Sequence, residues 1–134
     1  MQDLNISLIY NGKKGEFMYP IRKHKFGAKS CEMHGKKFSS KLEAEIYRLL
    51  EGLIVNKKIL FVLRQTRFDL PGNMRHRVDF TVFTHDEVFF VEAKGLDLEA
   101  GRMRRKIVED LYKIPIFVAK KPLDIYKILE KKNR

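Results

Sequence analysis

The segment Arg77-Val78-Asp79-Phe80-Thr81-Val82-Phe83, then Thr84-His85-Asp86-Glu87, then Val88-Phe89-Phe90-Val91-Glu92-Ala93-Lys94-Gly95, decides how this chain folds. Two runs rich in β-branched and aromatic residues flank a short polar break, which predicts a β-hairpin. Side chains alternate along a strand, so Asp79, Thr81 and Phe83 are expected on one face and Glu92 and Lys94 on one face of the next strand. A loop of His85-Asp86 and a loop of Thr84 to Glu87 give the same register, and both set Asp79 opposite Glu92. Facing residues have Cβ atoms about 4.5–5.5 Å apart, and like charges there are destabilising. Two carboxylates in that position call for compensation. A hard divalent cation such as Mg²⁺, which takes oxygen ligands, would provide it. Lys94 leans toward the same place. Glu92 follows four apolar residues, Val88 to Val91, so its strand reads as central and mostly buried rather than solvent-facing.

The chain has 134 residues, the size of one domain with a real core. The expected divisions are an N-terminal basic arm or hairpin over 1–37, a core over 38–119 and a C-terminal helix over 120–134. Lys and Arg number 28 against 17 Asp and Glu, a formal charge of +11. That excess points to a polyanion, nucleic acid before membrane; a passive RNA binder would share it. The single cysteine, Cys31, excludes an internal disulfide and a cysteine-based zinc site within one chain. No apolar run approaches the ~18 residues of a membrane span, and no signal peptide pattern is visible. The expected location is the cytoplasm.

Taken in order, Ile6 to Tyr10 and Phe17 to Tyr19 could pair across Asn11-Gly12, which favours a tight turn. Residues 21–37 are basic and turn-rich, with Arg22, Lys23, Lys25, Lys29, Lys36 and Lys37 spaced by Gly27 and Gly35. Residues 38–53 predict a helix with Leu42, Ile46, Leu49, Leu50 and Leu53 at helical period. Ser39 or Ser40 can cap it, and Glu43 stands three residues after Ser40, the capping-box spacing. Glu43 and Glu45 flank the stripe on opposite edges, and periodicity does not choose between them. Residues 59–70 read as one strand with a possible kink, and Pro71-Gly72-Asn73 as a turn. Arg75, His76 and Arg77 crowd the approach to Asp79. A helix over 97–113, with Asp97 as a cap, carries Met103, Ile107, Val108 and Leu111 on its apolar side. Its basic start opposes the helix dipole, so those charges are not there for helix stability. Pro115 opens a short strand to Ala119. A last helix over 122–132 turns Leu123, Tyr126, Ile128 and Leu129 inward.

The acid at Asp79 with Glu92-Ala93-Lys94 resembles the PD-(D/E)xK nuclease superfamily, although Val78 stands where a proline usually precedes the first acid. Phe38-Ser39-Ser40-Lys41-Leu42-Glu43-Ala44-Glu45 resembles the Ser-x-x-Glu opening helix of its small phage-type endonucleases and Holliday-junction resolvases. That likeness favours Glu43 over Glu45 at the site; the alternative is a capping role only. Gln65-Thr66-Arg67 stands where the family often carries a Gln-containing element. The resemblance implies an α/β, restriction-endonuclease-like αβββαβ core with a mixed central sheet flanked by helices. It implies one or two Mg²⁺ or Mn²⁺ ions held by Glu43, Asp79, Glu92 and the Ala93 carbonyl, with Lys94 positioning or deprotonating the attacking water. The helix after the catalytic strand would border the site, with Arg102 or Lys106, four apart, toward the scissile phosphate. Lys36, Lys37, Arg64, Arg67, Arg75 and Arg77 are the other expected DNA contacts. The expected activity is endonucleolytic hydrolysis of branched or duplex DNA, leaving a 5′-phosphate, by a homodimer. The rival readings are a non-catalytic nucleic-acid-binding module and one subunit of a larger recombination, transposition or packaging complex.

Overall fold

The computed structural model describes residues 30–131. The expected hairpin over 6–19 and the basic residues Arg22, Lys23, Lys25 and Lys29 lie outside them. The chain divides into two compact units, one ending at Lys58 and the other starting at Ile59.

In the first unit, β1 (Cys31–Met33) and β2 (Lys36–Phe38) pair antiparallel, with Cys31 opposite Phe38 and Glu32 opposite Lys37. His34 and Gly35, both at positive φ, make the turn. Part of the stretch expected to be a basic loop is therefore a hairpin, and Cys31, Met33 and Phe38 are its buried side. Helix α1 spans Lys41–Val55, and Ser40 is its cap: the Ser40 Oγ accepts the Glu43 amide at 3.1 Å. Ile46, Leu50 and Leu53 of the expected stripe are buried. At its C-terminus the Lys57 and Lys58 amides donate to the Ile54 and Leu53 carbonyls, a Schellman closure with Lys57 at φ 58.

The second unit is α/β. Its mixed sheet has the order β3-β4-β5-β6, made of Phe61–Leu70, Met74–Phe83, Val88–Ala93 and Ile116–Ala119. β3 and β4 form a long hairpin around Pro71-Gly72-Asn73, where Gly72 and Asn73 take the positive φ that such residues tolerate. Arg75, His76 and Arg77 therefore lie on β4 rather than before it. The β4–β5 register is the expected one: Phe80 faces Val91 and Phe83 faces Val88, and the Thr84 amide closes the loop on the Glu87 carbonyl at 2.9 Å. β6 runs parallel to β5. That pairing needs a crossover, which α2 (Glu99–Tyr112) supplies. Between α1 and β6 the sequence of elements is α-β-β-β-α-β, as expected.

Three local expectations change. Leu98, not Asp97, occupies the N-cap of α2, with no side-chain cap bond. On α2 only Arg105 and Val108 are buried, while Met103, Ile107 and Leu111 are exposed. The inward position is held by a cation because a buried carboxylate faces it, as described below. Helix α3 is Asp124–Glu130, and Ile125 and Ile128 face inward while Leu123 and Tyr126 are exposed. Ile128 is inward as expected, and the Asp124 carboxylate ties down the start of this short helix by accepting the Lys120 and Lys121 amides. No described helix is long and apolar enough to cross a membrane.

Candidate functional site

The β4–β5 ladder stops one pair short of Asp79 and Glu92. There the Asp79 carboxylate turns onto the neighbouring strand: its Oδ2 accepts the Ala93 amide at 2.8 Å. Its Oδ1 accepts the side-chain amide of Gln65 at 3.2 Å. Asp79 thus lies directly against the Glu92-Ala93-Lys94 element.

Gln65 is the kink expected in β3. Arg64 faces Phe80 and Thr66 faces Val78, but the intervening pair is left out of the ladder, and Gln65 has φ 54. A non-glycine residue at positive φ inside a strand is an outlier, and such residues concentrate at functional sites. The distortion shifts the facing of β4 across Asp79. Thr66, opposite Val78, reaches the Thr81 hydroxyl at 2.6 Å. Val78 joins Phe68, Leu70, Val108 and Ile116 in a core against which Phe90 packs. Strict alternation would put Val78 and Thr81 on opposite faces.

Glu92 is 1% exposed. Its Oε1 is hydrogen-bonded to Nε2 of His76, and its Oε2 accepts from Nη1 of Arg105 at 3.0 Å. Arg105 reaches onward to Asp97 Oδ2 at 2.7 Å. Burial opposes the charged form of Glu92. The bonds from His76 and Arg105 and the nearby charge of Lys94 outweigh it and hold its pKa below the usual carboxylate value. Burial likewise works against the Arg105 guanidinium, and its bonds to Asp97 and Glu92 raise it instead. The compensation demanded by the like-charge register is therefore supplied by the chain itself. Gln65 and the Ala93 amide serve Asp79, and His76 and Arg105 serve Glu92. Among the described residues no group of three or more His, Cys, Asp or Glu is arranged to hold a metal ion. The oxygen donors of Asp79, Glu92 and the Ala93 carbonyl match a hard cation in chemistry. A cation held by Glu92 would share that carboxylate with His76 and Arg105, each of which takes one of its oxygens.

Lys94 follows the end of β5, half-buried, with its amide on the Ala119 carbonyl at 3.0 Å. In the first unit Glu43 is buried and its carboxylate accepts from the Ser39 amide at 3.1 Å and from the Ser39 hydroxyl. The capping geometry weighed for it is thus present, reaching Ser39. Lys36 donates to the Tyr47 hydroxyl and stands over its ring at 4.7 Å. Lys37 is exposed. Arg67, Arg75 and Arg77 are exposed on the β3–β4 hairpin, and Arg64 is half-buried. Arg102 and Lys106 are exposed on α2, and Arg102 donates to the Asp97 carbonyl at 2.9 Å.

Residues 23–121 match the model of a family described as a protein of unknown function, DUF1064. The chain belongs to the DUF1064 family. No curated protein and no solved structure matches it. The matched span of this DUF1064 chain contains every candidate site residue above. Sequence reasoning missed His76 and Arg105 as the partners of Glu92. The available signal was the apolar run before Glu92: a carboxylate buried that deeply needs a cation. Arg105, three residues before the inward Val108, is on the face that can supply one.

Proposed function

We propose that this DUF1064 chain is a metal-dependent DNA endonuclease of the PD-(D/E)xK type. The observation that supports it is the contact of the Asp79 carboxylate with the Ala93 amide at 2.8 Å, which sets the first acid against Glu92-Ala93-Lys94. The αβββαβ order of elements and the charge of +11 are consistent with it. Asp79, Glu92 and the Ala93 carbonyl would hold Mg²⁺ or Mn²⁺. A bound divalent ion lowers the pKa of water and stabilises charge on a phosphate. Within the chain, the Gln65 amide and the Ala93 N–H fix the Asp79 carboxylate, and Arg105 and His76 fix that of Glu92. Lys94 would position the attacking water as an ammonium donor or, as the neutral amine, take its proton. Phosphodiester hydrolysis would follow at branched or duplex DNA. A nuclease working as a homodimer or as one subunit of a larger complex fits the same site.

A cleavage assay on linear, flapped and four-way DNA with Mg²⁺, Mn²⁺ or EDTA tests the reading. Cleavage should require metal and should be lost in Asp79→Ala, Glu92→Ala and Lys94→Ala. Asp79→Ala should still bind DNA in EDTA, since removing a carboxylate relieves repulsion with a polyanion. Parent-like cleavage by Asp79→Ala and Glu92→Ala would place the chemistry elsewhere. Binding without cleavage by every protein would favour the passive binder.

A further inference from the structure

The β3–β4 hairpin is two-stranded over its outer half, because the β5 ladder reaches only Phe80 to Phe83 of β4. Its two faces differ sharply. One carries Phe68, Leu70, His76 and Val78, all buried. The Phe68 ring meets that of Tyr112 edge-on at 5.0 Å, and the Tyr112 hydroxyl donates to the Asp69 carbonyl at 2.8 Å. The ribbon is thereby held on α2. The other face carries Arg67, Arg75 and Arg77, all exposed, with Asp69 as the acid among them.

Arg67 and Arg77 are direct register partners. Like charges directly opposite on paired strands are destabilising. Asp69 does not remove the excess: it pairs with Arg67 at 3.3 Å and faces Arg75, which leaves three guanidinium groups against one carboxylate. A folded ribbon that keeps such a pair, stiffened from behind, is built for a polyanion. A two-stranded β-ribbon fits the major groove of B-DNA. Alternate residues of a strand are about 6.8 Å apart, close to the through-space separation of neighbouring phosphates on one DNA strand. Arg75 and Arg77 can therefore follow one phosphate strand while Arg67 reaches from across the ribbon.

We propose that the exposed face of the β3–β4 ribbon, through Arg67, Arg75 and Arg77, is the surface that grips duplex DNA, two residues away from Asp79 along β4. The inference deepens the nuclease reading by naming the DNA-holding surface, and it shares with that reading the premise of a nucleic-acid partner.

The test is a binding titration of the full chain on a labelled duplex in EDTA, at several salt concentrations. Arg67→Gln/Arg77→Gln is compared with Lys120→Gln/Lys127→Gln, an equal charge change elsewhere. Two lost phosphate contacts should reduce the slope of log K against log[salt] by about 1.8. Affinity near ~150 mM salt should fall by about tenfold or more on every duplex sequence, because phosphate contacts carry no sequence information. The lysine pair should leave the slope unchanged. The ribbon pair should melt close to the parent temperature, since relief of the like-charge contact offsets loss of the exposed Arg67–Asp69 pair. Equal slopes for the two pairs, an unchanged slope for the ribbon pair, or no duplex binding by the parent would overturn the proposal. So would loss of binding to anionic phosphatidylserine vesicles with duplex binding intact. Metal-dependent cleavage with an unaltered ribbon slope would leave the nuclease reading standing and remove this one. A ribbon-dependent slope in a chain that cleaves nothing would do the reverse.

Discussion

Arg105 reaches from α2 to the Glu92 carboxylate at the end of β5, Nη1 to Oε2 at 3.0 Å, with side chains 8% and 1% exposed. This ion pair holds helix to sheet at the candidate site. Two desolvated charges gain little net stability from each other. Losing one partner is costly, because a buried charge is left under-compensated: Glu92 keeps only His76, or Arg105 keeps only Asp97.

Arg105→Met should therefore destabilise the protein by about 3–5 kcal/mol, and Glu92→Leu by a similar amount. The double variant should be less destabilised than the sum of the two, since an apolar pair of comparable volume removes both under-compensated charges. Urea unfolding of the four proteins in EDTA reads this directly. Additive losses would mean that the two side chains do not depend on each other.

Gln65 couples backbone strain to the Asp79 carboxylate. Gln65→Gly should stabilise the fold by about 1 kcal/mol or less, because glycine takes positive φ freely while its own chain entropy opposes the gain. The same change removes the amide on Asp79 Oδ1. Cleavage should fall while the melting temperature holds or rises. Gln65→Ala keeps the strain and loses the amide, so it should be both less active and no more stable. Equal activity in all three proteins would detach Gln65 from the site.

The hairpin register was legible because two apolar runs around a polar break leave few ways to close, and the observed partners follow it. The helix and strand order was legible from periodicity. The partners of Glu92 were not. Period reading assigns inward positions to apolar residues, so it turned Met103, Ile107 and Leu111 toward the core and passed over Arg105. The requirement of a buried carboxylate overrode the apolar pattern. The shifted facing around Asp79 was also hidden, because it stems from one residue, Gln65, in a backbone conformation its side chain does not announce.

Cys31 gives a check on the first unit. Burial, then the negative charges of Glu43 and Glu45, raise its thiol pKa above the usual 9.0. The folded state holds the thiol proton more tightly than the unfolded chain does. This contribution to stability is present below pH 9.0 and is lost as pH rises through the raised folded value. Alkylation by iodoacetamide at pH 8 should be slow in the native protein and fast in denaturing urea, since the thiolate is the nucleophile. Comparable rates in both would mean that Cys31 is not enclosed between β1 and α1.

A cation at Asp79 can be detected without any substrate. A ligand that binds only the folded state stabilises it by RT ln(1 + [L]/Kd), about 2.7 kcal/mol at a hundredfold excess over Kd. Mn²⁺ should therefore raise the melting temperature of the parent by several degrees. Asp79→Asn preserves the shape and an acceptor for the Ala93 amide but removes the charge, and should abolish the shift. Arg105→Met starts from a lower melting temperature yet should show a larger shift, because Glu92 no longer shares its negative charge with the Arg105 guanidinium. The two variants thus move the metal response in opposite directions, which a general loss of stability cannot do. Equal shifts in the parent and Asp79→Asn would remove Asp79 from the metal site, and no shift in the parent would remove the cation from the proposed mechanism.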